Sequence, residues 1–420
     1  MKPSLDLSAL QRAVLTPMQW SVILIGIFVP MSVALDNLML AVILLGALPS
    51  LGSILRIVSW HPVARASIML FGMLFLAMFY GKTPLHEAFS ILGKYVDLMF
   101  VPIFIYFLSE EKYRQRARHA FLLAMAITLF LSYLVDFRIL PVMSWMSRFA
   151  EEDNPVIFYS HITQNNLMAF AIFLALLECR DAGDRLKRIA WCVYAILGTA
   201  NVLFMVKGRT GYMILVALLA WFAWTSLARC MRQRGRKWGV RQGAFLGLGL
   251  VMMVVVTYYT SARLHERVAL VVSEYQAWTP DHGKDTSTGE RLDFYYNTIQ
   301  IVRDNFPFGV GTGGFPAAYT QQTEHKDVFQ TRNPHNEYLM ISVQTGLIGL
   351  VLLLYLFYML WRQAPMLPVT LEQDAARGLV LAFILNCLVN SALHDHVDGL
   401  FFAFMTATLF AGLKKERRNA

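Results

Sequence analysis

A single histidine stands where a long polar stretch meets a long apolar one. The segment Thr331-Arg332-Asn333-Pro334-His335-Asn336-Glu337-Tyr338 leads directly into a run of apolar residues. Asn is a preferred N-cap residue and Pro suits the first helical position, so Asn333 and Pro334 predict a helix with His335 at its second position. The positive end of the helix dipole disfavours a charged imidazole there. A neutral imidazole is a competent general base, although the pattern also fits a histidine that only anchors a helix end.

The composition places this histidine in a membrane protein. Of 420 residues, 56% are hydrophobic and only 15% are charged, and the apolar residues fall in long runs. We therefore expect an all-α polytopic membrane protein of about twelve transmembrane helices. The expected spans are the apolar runs 18–35, 37–55, 66–80, 89–108, 119–135, 161–179, 189–206, 211–227, 243–260, 337–361, 378–393 and 399–413.

The basic residues indicate orientation rather than nucleic-acid binding. With the N-terminus placed in the cytoplasm, the loops on that side hold 24 of the 37 Lys and Arg residues, and the opposite loops hold 12. This bias follows the positive-inside rule and puts both termini in the cytoplasm. It explains the net charge of +9 without a nucleic-acid partner. The four cysteines fall in helices or on the cytoplasmic side, so no disulfide framework is expected in the opposite loops.

The longest segment between spans, 261–336, is expected to form a partly helical catalytic loop on the outer side. It would follow nine helices with short loops in residues 1–260 and precede three helices and a basic tail in residues 337–420. Within it, Ser287 and Glu290 form a capping-box pattern, which predicts a helix with Ser287 as its N-cap and Arg291 in its first turn. Aromatic residues of this segment, namely Trp278, Tyr295 and Phe315, are candidates for stacking on a sugar.

Three outward-facing cations run against the positive-inside bias. Lys207 and Arg209 occupy the short hairpin Lys207-Gly208-Arg209-Thr210-Gly211, and Lys82 occupies another short outer loop. A phosphate contact would account for them, Arg209 first, because its planar guanidinium engages two oxygens at once. Snorkelling towards lipid headgroups is the alternative.

Two further charges fall inside a predicted span. Lys94 and Asp97 are three residues apart in the run 89–108 and would share one face of a helix. Because a lone charge in the bilayer is costly, we expect either a structural pair or a wall of the path taken by a lipid phosphate.

Several patterns resemble cofactor or metal motifs and are interpreted otherwise. Gly309-Val310-Gly311-Thr312-Gly313-Gly314 satisfies G-x-G-x-x-G, but it follows Asn305-Phe306-Pro307-Phe308 rather than a buried strand, and no helical pattern follows it. We expect a tight loop and no dinucleotide. The acidic run Glu151-Glu152-Asp153 and the stretch His394-Asp395-His396-Val397-Asp398 could each hold a metal, yet a solvated cluster and a short polar turn are the simpler interpretations. We predict no cofactor and no metal.

The motif around the histidine resembles a known family. His335-Asn336, followed after nine residues by Gly346-Leu347-Ile348-Gly349, resembles the signature of the bacterial O-antigen ligases within the ligase and polymerase superfamily. The twelve-helix layout, the outward Lys-Gly-Arg hairpin and the long loop before the last helices are similar to that family over essentially the whole chain.

This resemblance implies a GT-C-like glycosyltransferase of the bacterial inner membrane whose active site faces the periplasm. The implied donor is O-antigen carried on undecaprenyl pyrophosphate, and the implied acceptor is a sugar hydroxyl of lipid A-core oligosaccharide in lipopolysaccharide biosynthesis. By the same resemblance, the essential histidine falls on His335, the donor-binding arginines on Arg209 and Arg291, and a late acidic residue on Asp395 or Asp398. Lys207 and Lys82 would add to donor binding. Asn333, Asn336 and Arg332 flank the histidine and are candidates for supporting it or for binding the acceptor.

The chemistry of the donor agrees with this assignment. A pyrophosphate leaves readily once its growing charge is neutralised, so one base and fixed cations suffice, whereas a glycosidase also needs an acid. The outer loops contain no Asp-x-Asp, and we predict a metal-independent, inverting transfer. The alternatives are a polymerase or a protein O-oligosaccharyltransferase of the same superfamily and, more distantly, a lipid-linked glycan transporter. One dominant outer loop favours the ligase, and polar clusters at the outer surface, without an internal repeat, disfavour the transporter.

Overall fold

The protein is built from helices joined by short connections. The computed structural model describes residues 7–233, Tyr259, 262–283 and 286–415. No β-strand occurs among these residues. In chain order the helices are α1 (Leu7–Phe28), α2 (Val33–Ala47), α3 (Leu51–Trp60), α4 (Pro62–Ala77), α5 (Leu85–Gly93), α6 (Asp97–Phe107), α7 (Glu111–Asp136), α8 (His161–Asp181), α9 (Arg185–Ala200), α10 (Arg209–Gln233), α11 (Ala262–Ala277), α12 (Ser287–Asp304), α13 (Phe315–Gln322), α14 (Glu337–Gln363), α15 (Thr370–Val389) and α16 (His396–Phe410).

Six described segments are long and apolar enough to cross a membrane, or seven if the bent pair α5–α6 is one span. The six are Val33–Trp60, Glu111–Asp136, His161–Asp181, Arg185–Met205, Arg209–Gln233 and Glu337–Met366. Three shorter apolar stretches, Ala13–Phe28, Pro62–Ala77 and His396–Phe410, accompany them. An all-α chain rich in membrane helices is therefore confirmed over the described residues, while the total of twelve spans stays a prediction. The expected run 243–260 lies outside the described residues, apart from Tyr259.

Contacts divide the chain into two compact units. The first comprises residues 1–124, 279–376 and 387–420, and the second comprises residues 125–278 and 377–386. This division differs from the predicted one into membrane helices and a catalytic loop, which stays a prediction.

The first unit contains the predicted catalytic histidine. In it, α14 packs along α4, α16 packs along α6, and both α12 and α13 pack against the first half of α14. A small apolar core joins these last three helices and consists of Phe294, Ile301, Phe315, Tyr319, Met340 and Val343. Phe315 is therefore part of the core and is not available to stack on a sugar, contrary to our expectation.

The second unit is organised around α8, which packs against both α9 and α10. The polar first turn of α8 braces the hairpin before α10, because the Asn165 amide donates to the carbonyls of Val206 (3.3 Å) and Gly208 (3.5 Å). A side chain on Gly208 or Gly211 would collide with Asn165. The hairpin that carries Lys207 and Arg209 is thus rigidly seated in its own unit.

The predicted helix 89–108 is broken, which changes the roles of its two charges. It consists of α5 and α6, bent by 40° around the short turn at Lys94. The expected pair of Lys94 with Asp97 is not formed. Asp97, buried at the start of α6, faces the imidazole of His396 at 4.0 Å, and the same imidazole lies 3.0 Å from buried Asp36. The break rotates Lys94 out of the helix face that Asp97 occupies.

The long helix α14 is also broken, and the glycine-rich loop fills the break. Gly346 has φ +64° and ψ −152°, a conformation open in practice only to glycine. The break frees the carbonyls of Val343 and Gln344, which accept hydrogen bonds from Val310 N (2.7 Å) and Gly311 N (3.0 Å). Leu347 N donates in return to the carbonyl of Pro307 (2.8 Å).

The tight loop expected at 309–314 is thus confirmed, but one supporting argument was wrong. A helix does follow the glycines, since α13 begins at Phe315. The loop is nevertheless preceded by α12 and a turn rather than by a strand.

Candidate active site

His335 lies just before α14 rather than within it. The helix begins at Glu337, and its N-cap is Asn336, whose side chain accepts from Leu339 N at 3.0 Å. The prediction that Asn333 is the N-cap and that His335 stands at the second helical position was therefore wrong. His335 instead adopts a left-handed conformation with φ +53°, which is uncommon for residues other than glycine. Asparagine is a preferred N-cap residue at either position, and in the structure Asn336 rather than Asn333 caps the helix.

Hydrogen bonds from three directions hold this unusual turn. Asn333 Oδ1 accepts from His335 N (2.8 Å) and from Ser391 Oγ (2.6 Å). The Tyr295 hydroxyl donates to the carbonyl of His335 at 3.0 Å, and the Asn336 amide donates to the carbonyl of Leu388 at 2.8 Å. Both polar groups of the histidine backbone are thus satisfied, and the backbone that carries the imidazole is held in place.

Helix α12 supplies the walls beside the imidazole. Its N-cap is Thr286, whose hydroxyl accepts from Gly289 N at 3.0 Å, so the predicted cap at Ser287 was one residue too late. Phe294 stacks on the imidazole, with ring centroids 6.1 Å apart and planes tilted by 23°. Arg291 lies one turn earlier on the same helix and approaches both His335 and Tyr295 closely enough for its charge to act on them. The structure therefore brings Arg291 and His335 together, as the sequence suggested.

The protonation state of His335 follows from this environment. The side chain is half-buried, and burial together with the positive charge of Arg291 lowers its pKa to about 4. The ring is thus neutral near pH 7, as predicted, but because of burial and Arg291 rather than a position inside a helix. Neither ring nitrogen hydrogen bonds to any residue that the structure describes. A lone pair is therefore available on the ring.

A second group of charges flanks the same turn. Arg332 is exposed and forms no ion pair within the described part of the chain. Lys94 lies close enough to Arg332 and Asp395 to interact electrostatically with both. Asp395 is the N-cap of α16 and accepts from Val397 N (3.0 Å) and Asp398 N (3.2 Å), and Asp398 is buried. Of the two candidate acidic residues, Asp395 rather than the buried Asp398 thus lies near the positive charge of Lys94.

Sequence reasoning missed the buried carboxylate next to this turn. Glu337, the first residue of α14, accepts hydrogen bonds from Tyr95 Oη (3.0 Å), Leu393 N (2.8 Å) and His394 N (3.3 Å). It therefore ties the start of α14 to the α5–α6 turn and to the connection before α16. An acidic residue in the first turn of a helix is a common stabilising feature, so its type alone gave no signal.

Ser391 was missed as well, and Tyr295 was singled out for another role. Tyr295 was expected to stack on a sugar, whereas its hydroxyl holds the backbone of His335. Ser391 is 58 positions from its partner Asn333. A side chain so distant in the sequence leaves no local pattern that could identify it.

The candidates of the second unit are placed as follows. Lys207 forms an ion pair with Asp153 and lies 3.8 Å from Glu151, so the acidic run 151–153 serves as its partner. Arg209 is the first residue of α10. Its proposed contact with a donor phosphate stays a prediction.

Lys82 is the last of the predicted donor-binding cations. Lys82 is exposed on the turn after α4, next to Gly81, whose backbone packs against Gly311 of the glycine-rich loop.

Within residues 7–233, 262–283 and 286–415, no group of three His, Cys, Asp or Glu side chains is arranged to hold a metal ion. Metal independence of the reaction stays a prediction.

Comparison with known proteins places this site in a family context. A family model described as O-antigen ligase matches residues 194–354, which include α10, α12, α13, the His335 turn and the first half of α14. A comparison of the chain with curated protein sequences gives no match.

Proposed function

Because this chain belongs to the O-antigen ligase and polymerase family, we propose that it is the ligase: a glycosyltransferase that moves O-antigen from undecaprenyl pyrophosphate to a sugar hydroxyl of lipid A-core oligosaccharide. In this proposal the enzyme lies in the bacterial inner membrane with twelve spans, a GT-C-like architecture, both termini in the cytoplasm and the His335 turn facing the periplasm.

One observation carries the proposal. A neutral imidazole with unpaired ring nitrogens is fixed beside a guanidinium that has no ion-pair partner among the described residues. A base that removes a proton from a hydroxyl and a cation that attracts a phosphate are the two groups this transfer needs.

The proposed step balances with these two groups. A ring nitrogen of His335 takes the proton of the acceptor hydroxyl while its oxygen attacks the anomeric carbon of the donor sugar. The bond between that carbon and the pyrophosphate oxygen breaks on the opposite face, so the configuration inverts. Arg291 stabilises the charge that grows on the departing pyrophosphate.

Donor binding also adjusts the base. A pKa of about 4 makes the free imidazole a weak base. When the diphosphate approaches Arg291, its negative charge offsets the positive charge that lowers the pKa of His335. The base therefore becomes stronger when the donor is in place. Arg209, and to a lesser degree Lys207 and Lys82, are proposed to add to donor binding, while Asn333, Asn336 and Asp395 support the histidine turn.

The decisive experiment is a reaction with purified components. Lipid-linked O-antigen and rough lipopolysaccharide, incubated with the protein alone, should give smooth lipopolysaccharide. His335→Ala should lower the rate by about 10²–10⁴-fold without loss of folded protein. His325→Ala, an exposed histidine of the same segment, is the matched control and should retain full activity.

The same reaction separates the ligase from its relatives. Longer lipid-linked glycans without smooth lipopolysaccharide would identify a polymerase, and transfer to a protein would identify a protein O-oligosaccharyltransferase. Full activity of the His335→Ala variant would overturn the assignment of the base.

A further inference from the structure

A groove lined by both polar and apolar atoms lies on the first unit, beside the segment that leads into the His335 turn. Its volume is 690 Å³, within the range of about 300–1,000 Å³ typical of ligand pockets. One wall is α13 with the turn that follows it, and the other is the segment 330–332. The polar lining residues are Thr320, Gln321, Glu324, Gln330, Thr331 and Arg332.

The two walls are fixed to each other before any ligand binds. Thr320 Oγ1 donates to Gln330 Oε1, and Gln330 Nε2 donates to Thr323 Oγ1, both at 2.9 Å. Beneath them, Phe315 and Tyr319 are buried in the core that joins α12, α13 and α14. A groove held open in this way binds a ligand without first ordering its own walls.

The lining chemistry selects a ligand rich in hydroxyl groups. Amides, hydroxyls and one carboxylate offer both donors and acceptors. Gln321, Glu324 and Arg332 form no hydrogen bond or ion pair with the residues that the structure describes, so their polar groups are free to bind. The negative charge of Glu324 is balanced by the positive charge of Arg332, so the groove does not favour binding of a polyanion. Pro316 and Ala317 alone give too little apolar surface for a lipid chain.

The groove lies near the proposed base along the chain. Arg332 is three residues before His335, so their Cα atoms are at most about 11 Å apart. The intervening chain is braced, because Thr331 Oγ1 donates to the Asn333 carbonyl at 2.7 Å and Asn333 Oδ1 accepts from His335 N at 2.8 Å. The groove and the imidazole are thus close enough for neighbouring sugar residues of one glycan to occupy both.

We propose that this groove binds the uncharged sugar residues that lie next to the reacting sugar in one of the two glycan substrates. The inference rests on the proposed transferase function and adds a glycan-binding site to it. The donor glycan and the acceptor core share the same hydroxyl-rich chemistry, and steady-state kinetics with each substrate varied in turn distinguishes them.

The test removes the free polar groups of the groove. Gln321→Ala combined with Glu324→Ala should raise the KM for one glycan about tenfold, as expected for the loss of one or two hydrogen bonds, and leave kcat at saturation nearly unchanged. A raised donor KM assigns the groove to the donor glycan, and a raised acceptor KM assigns it to the core. Glu324→Gln, which keeps a hydrogen-bonding group, should restore most of the affinity.

Two controls make the result specific. Gln322→Ala removes a neighbouring glutamine of α13 that is bonded to Gln300 outside the groove, and it should leave both KM values unchanged. Binding of a neutral ligand should also change little with ionic strength, whereas binding of a polyanion would weaken steeply. Unchanged KM values for both substrates in the double variant would overturn the inference.

A binding experiment separates the groove from the reaction. Lipid-free O-antigen oligosaccharide and lipid-free core oligosaccharide can each be titrated against the full-length His335→Ala protein by ligand-observed NMR. One of them should bind, and the double substitution in the same background should weaken that binding about tenfold. If an oligosaccharide binds but the wild-type protein transfers no glycan, the proposed function is rejected and the glycan-binding groove is retained. If the double variant transfers glycan with unchanged KM values, the groove is rejected and the proposed function is retained.

Discussion

The hydroxyl of Tyr295 donates a hydrogen bond to the backbone carbonyl of His335 at 3.0 Å. This contact joins α12 to the left-handed turn and holds the backbone that carries the imidazole. The same hydroxyl lies 3.3 Å from the carbonyl of Leu388, so one phenol connects three parts of the first unit. Tyr295 is therefore a positioning residue for the proposed base.

Removing only that hydroxyl should slow the chemical step. Tyr295→Phe keeps the ring but leaves the His335 carbonyl without its donor, and we expect kcat to fall about tenfold. The KM values for donor and acceptor should change little. Tyr296→Phe, at the adjacent position, is the control. A Tyr295→Phe variant whose kcat matches wild type would show that the contact does not position the base.

The pH profile should report the influence of Arg291 on His335. Because burial and Arg291 lower the pKa of His335 to about 4, the free enzyme keeps a neutral imidazole down to that pH. The acidic limb of log(kcat/KM) should therefore lie near pH 4 rather than near 6.5. Arg291→Gln should move this limb upward, and Arg291→Lys, which keeps the charge, should move it less. An unchanged limb in Arg291→Gln would show that burial alone sets the pKa.

Arg209 and Lys207 should differ in their effects. Arg209→Ala is expected to raise the donor KM at least tenfold, the scale of one charge-assisted contact, and to leave the acceptor KM unchanged. Lys207→Ala should have a smaller effect on the donor KM, because an ammonium lacks the planar fork with which a guanidinium engages two phosphate oxygens. Equal rises in both KM values for Arg209→Ala would indicate a structural role for this residue.

The break in α14 should be intolerant of a side chain. A Cβ at Gly346 would collide with the Pro307 carbonyl oxygen, and its backbone conformation is closed to other residues. Gly346→Ala should therefore cost at least about 2 kcal/mol and lower the Tm of the detergent-solubilised protein. Gly72→Ala in α4 is the control, since nothing lies within 4 Å of its Cβ. Equal Tm values for the two variants would refute the account of the break.

Chelation tests metal independence. Treatment of the purified reaction with EDTA should leave the rate unchanged, because the proposed step uses only an imidazole and guanidinium groups. Loss of activity that Mg²⁺ restores would contradict this prediction.

The sequence predicted the helices well where apolar runs were continuous. The run 161–179 corresponds to α8, and the run 337–361 corresponds to most of α14. The run 89–108 hid a bend, because Gly93-Lys94-Tyr95-Val96 contains no proline or polar turn signal strong enough to interrupt the hydrophobicity. The bend depends on tertiary contacts, because Tyr95 within it hydrogen bonds to Glu337, which is distant in the sequence.

The sequence predicted part of the geometry of the candidate site, while the chemistry assigned to it stays a prediction. His335 and Arg291 carry signals of type and position, and the structure brings them together. The left-handed backbone of His335 could not be predicted, because the turn depends on hydrogen bonds from the distant residues Tyr295 and Ser391. Contacts between residues dozens of positions apart leave no periodic pattern in a single sequence.

The interruption at Gly346 also bears on how the chain is made. Residues 307–314 leave the ribosome before Gly346, so the amides that meet the carbonyls of Val343 and Gln344 exist before those carbonyls do. Backbone carbonyls without a hydrogen-bond donor are energetically unfavourable in the hydrocarbon of a bilayer. Because its break leaves such carbonyls exposed, α14 alone is poorly suited to enter the membrane. We therefore expect the glycine-rich stretch to satisfy these carbonyls while α14 is being inserted, so that the two segments enter the membrane together.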